Sequence, residues 1–288
     1  MRAGTRESQL AMRQTEIFKG YMGEECPGVE VEVVGITSAG DRDQETPLRE
    51  MGGIGAFVRE LDEALIERRI DVSVNSLKDV PVSMDPRLTI GAVLPRDDPS
   101  DAIVPLALED LACGAIIGTS SVRRQRLMRT IDPKVRIKDV RGNLQTRLNM
   151  VDQGEVHAVI VSMAGLQRMG WEDGAHPVSK MKMVPAAGQG TIAVECRAED
   201  TEVREILKKV DDEKTRTEVS AEREILRLMG AGCSSPIGIN AEVDRRKIRI
   251  IGVSFDYGPA PIRVCEEFPL SELNDRIPKI ATKLLGKG

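Results

Sequence analysis

Two short stretches carry residue types that could do chemistry on a charged small molecule. In VNSLKDVPVS, residues 74–83, Lys78 and Asp79 stand side by side between apolar segments and just before Val80-Pro81. A carboxylate fixed there could stabilise positive charge as it develops, or exchange protons with a reacting group. An Asp ahead of a proline suits a solvated turn equally well, and local pattern leaves both open. In GAGCSSPIG, residues 230–238, Cys233 follows three small residues and precedes two serines. Such an open, polar loop could offer a thiol as nucleophile or attachment point. A free Cys can also be a small buried hydrophobe, and no His lies nearby in sequence to activate this one.

A third pattern concerns anions. In GTSSVRRQ, residues 118–125, a helix start with Ser120 or Ser121 as cap offers backbone N–H groups to an anion, with Thr119 beside them. Arg123 and Arg124 fall in the first turn, where the helix dipole disfavours cations, so a bound carboxylate or phosphate would restore the balance. GTRES, residues 4–8, echoes the motif with Arg6 and Ser8. Arg141 stands at a strand-to-loop junction in VRGNLQTRL, Arg147 a turn into the next helix, and Arg168 in AGLQRMGW just after a strand. Each alone is an ordinary surface arginine. Six of them at successive strand ends, where ligands gather in open α/β sheets, point to one polyanionic ligand bound by bidentate pairing.

The elements that must position these residues follow from periodicity. Val29, Val31 and Val33 alternate with glutamates and read as a strand, whereas residues 57–69 carry apolar residues at helical spacing. Strand-like runs recur at residues 115–117, 135–137 and 156–161 with helical patterns between them, which predicts α/β layers with largely parallel sheets. PRDDPSD at 95–101 and KMVPAAGQG at 182–190 bracket a central domain. A helix over 213–229, a Gly-rich loop and strands at 237–243 and 248–253 predict a small α+β domain at the end. The glycine-rich loop between Thr37 and Phe57 reads as a lid or a flexible connection. His157 reads as a structural residue of a buried strand.

Composition narrows the function. The chain has 288 residues, enough for two or three domains, and a net charge of -5 with both signs interspersed. Together with 2% aromatic residues this argues against a nucleic-acid surface. Five widely spaced cysteines without a CxxC, and only two histidines, indicate neither a disulfide framework nor a metal site. An apolar leader and a run of 18 apolar residues are both lacking, so the expectation is a cytoplasmic chain that does not span a membrane.

The motifs GTRESQLAMRQ, GDRDQETPLREMGGIGAFVRELDEAL, VNSLKDVP, GTSSVRRQ, DVRGNLQTRL, AGLQRMGW, PAAGQGTIAVECR and AGCSSPIG occur in order along the whole chain. In them the sequence resembles the porphobilinogen deaminase family, also called hydroxymethylbilane synthases. The resemblance implies two α/β domains like those of periplasmic binding proteins, with a cleft between them, plus a small C-terminal α+β domain. The implied boundaries are 1–93 with 190–210, 97–186, and 213–288. It implies stepwise condensation of four porphobilinogen molecules into a linear tetrapyrrole with release of ammonia, on the route to haem, sirohaem or corrinoids. The reaction would be primed by a dipyrromethane cofactor held by a thioether to Cys233. Asp79 matches the family's catalytic aspartate. Arg123, Arg124, Lys78, Ser121 and Ser76 match cofactor-binding positions, and Arg6, Ser8, Phe57, Thr119, Arg141, Arg147, Arg168 and Gln189 match substrate-binding ones. A monomer acting on a small molecule is expected. Three positions depart from the usual pattern: Asn75 stands in place of His, Ile54 in place of Lys, and Gly230 in place of Glu. A non-catalytic two-lobed binder of a carboxylated ligand is the rival reading, and it would need neither Asp79 nor Cys233.

Overall fold

The computed structural model describes residues 1–37, 58–232, 235–256 and 260–287. The chain divides into two compact units, Met1–Asp97 with Thr191–Arg216 and Asp98–Gly190 with Thr217–Gly288. Among the described residues the first strands are β1 (Arg2–Arg6), β2 (Glu32–Ile36), β3 (Val72–Ser76), β4 (Leu88–Val93), β5 (Asp101–Val104) and β6 (Ile116–Gly118). They are followed by β7 (Arg136–Lys138), β8 (Ala158–Ser162), β9 (His176–Pro177), β10 (Ile192–Arg197), β11 (Ile237–Asp244), β12 (Lys247–Ser254) and β13 (Ile262–Pro269). The helices are α1 (Gln9–Glu25), α2 (Arg59–Ile66), α3 (Val122–Ile131) and α4 (Leu144–Asp152), then α5 (Met163–Met169), α6 (Thr201–Leu207), α7 (Glu213–Leu228) and α8 (Leu273–Leu284).

In the first unit the sheet runs β2-β1-β3-β10-β4. β1 is parallel to β2 and β3, and β10 is antiparallel to both its neighbours. Alternation along β3 divides its side chains between two faces. Val72 and Val74 join Phe18 and Met22 of α1 in one core cluster, whereas Ser73 and Asn75 turn to the opposite face. There α2 buries Leu61, Ala64 and Leu65 with Ile70 and Leu88. The approach is close: a Cβ on Gly4 would lie 2.4 Å from Ile70 Cδ1, so a larger residue at this point of β1 would have to displace the end of that side chain.

The second unit holds a sheet of order β7-β6-β8-β5-β9, in which β6 is parallel to β7 and β8 while β5 is antiparallel to β8 and β9. Both five-stranded sheets are thus mixed, because one strand in each, the late β10 in the first unit and β5 at the start of the second, runs opposite to the other four. The C-terminal segment forms an antiparallel sheet β11-β12-β13. On β12, Ile248 and Ile250 lie on the side of Gly252, which α8 approaches through Leu284. Ile251, Val253 and the following Phe255 belong to the core cluster of Ile103, Ile117, Leu127 and Ile160. Shared burial of that kind is what joins this small sheet to the 98–190 segment in one unit. Among the described residues no helix is long and apolar enough to cross a membrane.

Candidate active site

Asp79 ends a single 3-10 turn, Leu77–Asp79, that continues directly from β3. Leu77 is buried and its N–H donates to the Thr191 carbonyl at 2.9 Å, while the Val80 N–H closes the turn on Leu77. Lys78 and Asp79 are half-buried at the tip. One residue back, Ser76 accepts a hydrogen bond from Gln14 Nε2 of α1 at 2.8 Å. Arg6 ends β1, the parallel neighbour of β3, and Ser8 caps α1 by accepting from the Ala11 N–H. Arg6, Ser8, Ser76, Lys78 and Asp79 therefore collect at the carboxyl ends of adjacent parallel strands, where ligands of α/β sheets sit.

The second unit does the same with β7, β6 and β8. Thr119 and Ser121 follow β6, Arg141 follows β7, and Arg168 rides on α5 after β8. Ser121 caps α3 and its Oγ accepts from the Arg124 N–H. The side chains of Arg123 and Arg124 turn inward, and both bind Asp101, the first residue of β5. Arg123 Nη1 lies 2.7 Å from Asp101 Oδ2, and Arg124 reaches Oδ1 through Nε at 3.0 Å and Nη2 at 2.7 Å. Gln189 Nε2 adds a fourth group at 2.8 Å from Oδ1. All of these side chains are buried. Burial pushes the Asp101 carboxyl up, but the two guanidinium groups outweigh it and hold the group well below the usual carboxylate range.

The dipole conflict read from GTSSVRRQ is thus answered from within the chain, by an aspartate that the sequence hides in the Asp-rich break 95–101. No local signal singles Asp101 out; only its position at the head of an apolar strand is unusual. The loop before β10 belongs to the same network. Gly188 N–H donates to Glu222 Oε2 at 2.7 Å, and Arg168 Nη2 donates to the Gly190 carbonyl at 2.7 Å. Arg147 is half-buried and donates through Nε to the Gly142 carbonyl at 3.0 Å. Arg141 is half-buried in the loop that Gly142, at φ +96°, turns into α4. His157, expected in a buried strand, is instead exposed just before β8, and it accepts the Ile116 N–H through Nδ1 at 3.0 Å.

Phe57, Ile54 with the rest of the glycine-rich loop, and Cys233 lie outside the described residues. The approach to Cys233 is described. α7 ends in a Schellman motif, with the Gly230 N–H on the Arg227 carbonyl and the Ala231 N–H on the Leu226 carbonyl, both at 3.0 Å. Gly230 has φ +64°, which a glycine adopts without strain and a glutamate would not. Among the described residues no group of three or more His, Cys, Asp and Glu could hold a metal.

Comparison with known proteins adds the family. Among solved structures, the VFT2 domain of BvgS from Bordetella pertussis is 14% identical, covering 73% of this chain and 85% of that one at a TM-score of 0.43. Residues 1–205 match the family described as "Porphobilinogen deaminase, dipyromethane cofactor binding domain", and residues 216–257 match "Porphobilinogen deaminase, C-terminal domain". The porphobilinogen deaminase of Syntrophobacter fumaroxidans is 40% identical over 247 residues, 84% of this chain and 80% of the relative. That of Nostoc is 38% identical over 260 residues, 88% and 80% of the two chains. That of Acidothermus cellulolyticus is 43% identical over 264 residues, 89% and 79%. With both family domains matched in order and each relative aligned along most of its length, the chain belongs to the porphobilinogen deaminase family.

Proposed function

We propose that Asp79 is the catalytic carboxylate of this enzyme and that Cys233 anchors its dipyrromethane cofactor through a thioether. The enzyme is a transferase, a hydroxymethylbilane synthase. It joins four porphobilinogen molecules head to tail, releases ammonia at each step, and frees the linear tetrapyrrole by hydrolysis. The dipyrromethane group, when bound, supplies the pyrrole carbon to which the first substrate is joined.

Loss of ammonia from an aminomethyl pyrrole leaves a delocalised cation. A carboxylate at the tip of the Leu77–Asp79 turn can accept hydrogen bonds from pyrrole N–H groups and stabilise that charge as it forms. It can also pass a proton to the leaving amine and take one from the coupled carbon. The observation that carries this reading is the placement of Asp79, half-buried at the carboxyl edge of the sheet and fixed by the ties on Ser76 and Leu77.

The donor set suits ligands that carry acetate and propionate. Arg123 and Arg124 bring two positive charges to the single charge of Asp101, at the N-terminus of α3, where the helix dipole adds to the positive potential. In this reading Arg123, Arg124, Lys78, Ser121 and Ser76 hold the cofactor. Arg6, Ser8, Phe57, Thr119, Arg141, Arg147, Arg168 and Gln189 serve the substrate and the growing chain. The enzyme acts as a cytoplasmic monomer, which light scattering of the purified protein checks.

Intact-mass measurement after exposure to porphobilinogen tests the anchor. The wild type is expected to gain the mass of a dipyrromethane and Cys233→Ser to gain none. Equal, unmodified masses for both would overturn the assignment.

A further inference from the structure

One buried acid has no part in the chemistry above. Glu195 lies on β10, 1% exposed, on the face of the sheet that α2 covers. The registers Glu195↔Ser73 and Ala193↔Asn75 set Ser73, Asn75 and Glu195 on one face in the middle of the sheet, with Gly4 beside Ser73 and the buried Arg197 two residues further along β10. Asn75 is itself buried, and its Nδ2 donates to Glu195 Oε1 at 2.8 Å and to Ser73 Oγ at 3.3 Å. Opposite β4 the register of β10 shifts between Val194 and Glu195. Bulges of this kind re-aim a side chain and gather near active sites.

A buried carboxylate tied to an amide is a costly way to join two strands that apolar side chains could join. Its position suggests what it does. Asn75, Ser76 and Leu77 are three consecutive residues, and each is fixed in a different direction. Asn75 is held to Glu195 on one face, Ser76 to Gln14 of α1 on the other, and the Leu77 N–H to Thr191 along the sheet edge. Two residues further on stands Asp79.

We propose that the Asn75–Glu195 pair is a positioning device for Asp79, acting through the end of β3 to fix the direction in which the Leu77–Asp79 turn presents its carboxylate. The proposal rests on the reading of Asp79 as catalyst. A lost tie lets the turn rotate by a fraction of an ångström, and small displacements of a reacting group are expensive for rate while they leave binding nearly alone. The hydrogen bond, rather than the charge of Glu195, is the positioning element.

Steady-state kinetics of the holoenzyme with porphobilinogen tests this, with cofactor loading confirmed by mass. Asn75→Leu removes the donor and is expected to lower kcat about 10- to 100-fold while KM stays within about twofold. Asn75→His restores an N–H toward Glu195 and is expected to recover kcat to within about threefold of wild type, as is Glu195→Gln, which keeps an acceptor oxygen. Should circular dichroism show that Asn75→Leu does not fold, Asn75→Ala reports the same loss without pressing an apolar side chain against Glu195. Combined with Asp79→Asn, Asn75→Leu or Asn75→Ala should lower kcat by no more than a further twofold or so, because residues acting through one group are non-additive. An unchanged kcat in a folded Asn75→Leu or Asn75→Ala, or full additivity with Asp79→Asn, overturns the positioning role. A fully active Asp79→Asn instead overturns the catalytic reading beneath it.

Discussion

Asp79 and Asp101 are both carboxylates at the edge of a strand, and their surroundings give them opposite work. Asp79 is half-buried on a turn that its neighbours hold still. Replacement by Asn keeps its shape and removes its charge, and kcat should fall by about 10²- to 10³-fold with KM changed little, as read by tetrapyrrole formation. Asp101 is fully buried between two guanidinium groups. Asp101→Asn strands two buried cations and should cost about 3–5 kcal/mol of stability, measured by urea denaturation. Because the folded state depresses the Asp101 pKa, its contribution is present at all pH values above the unfolded value near 4 and is lost as pH falls toward the folded one. Stability of the wild type should therefore decline below about pH 4, and the Asn variant should lose part of that dependence. Lys-Asp before Val-Pro, and a Cys among glycines and serines, stand out in a sequence as candidates, although local pattern leaves a solvated turn and a buried thiol open as well. Asp101 does not, because an Asp in a Pro- and Asp-rich stretch looks the same whether it meets water or two arginines.

At the level of elements, legibility tracked amphipathicity. The α2 and α7 helices are visible through helical spacing, and β6, β7 and β8 through short apolar or alternating runs, β8 as the nearly unbroken apolar run of a buried strand. The β10 strand is unmarked because all six of its residues are buried yet two of them, Glu195 and Arg197, are charged, so neither alternation nor an unbroken apolar run survives. In β4, Gly91 interrupts the pattern where a Cβ would lie 2.4 Å from Leu207 Cδ1. Two predictions belong here. On α2, burial foremost, together with Asp85 and Glu63, pushes Asp62 up to about 6. A raised carboxyl pKa gives stability that is full below the unfolded value and fades as pH rises through the folded one, so thermal melting should show a decline between about pH 4 and 6. Asp62→Asn should abolish that decline and raise the melting temperature at neutral pH. In β11, a Cβ on Gly238 would lie 2.5 Å from the Val184 carbonyl oxygen and 3.0 Å from that of Pro185. Backbone cannot step aside as a side-chain end can, so Gly238→Ala should destabilise the second unit by about 1–3 kcal/mol, seen in its denaturation midpoint.

For the molecule as a whole, the division into units is the least local property. Pro-, Asp- and Gly-rich stretches at 95–101 and 182–190 mark breaks, yet nothing in residues 190–197 announces that this strand returns to the first unit. The structure has the chain pass between units after residues 97, 190 and 216. The strand that returns, β10, sits between β3 and β4 and pairs with both. During synthesis on the ribosome this placement has a temporal consequence. When residue 97 has emerged, β3 and β4 exist but the strand that joins them has not been made, and about a hundred further residues must be translated first, several seconds to tens of seconds at typical elongation rates. Throughout that interval the nascent first unit carries two open strand edges, the kind of surface on which other chains add. The second unit's 98–190 segment is being made while the first still waits. The enzyme's yield in a cell should therefore depend on what shields those edges during translation more than on the final stability of either unit.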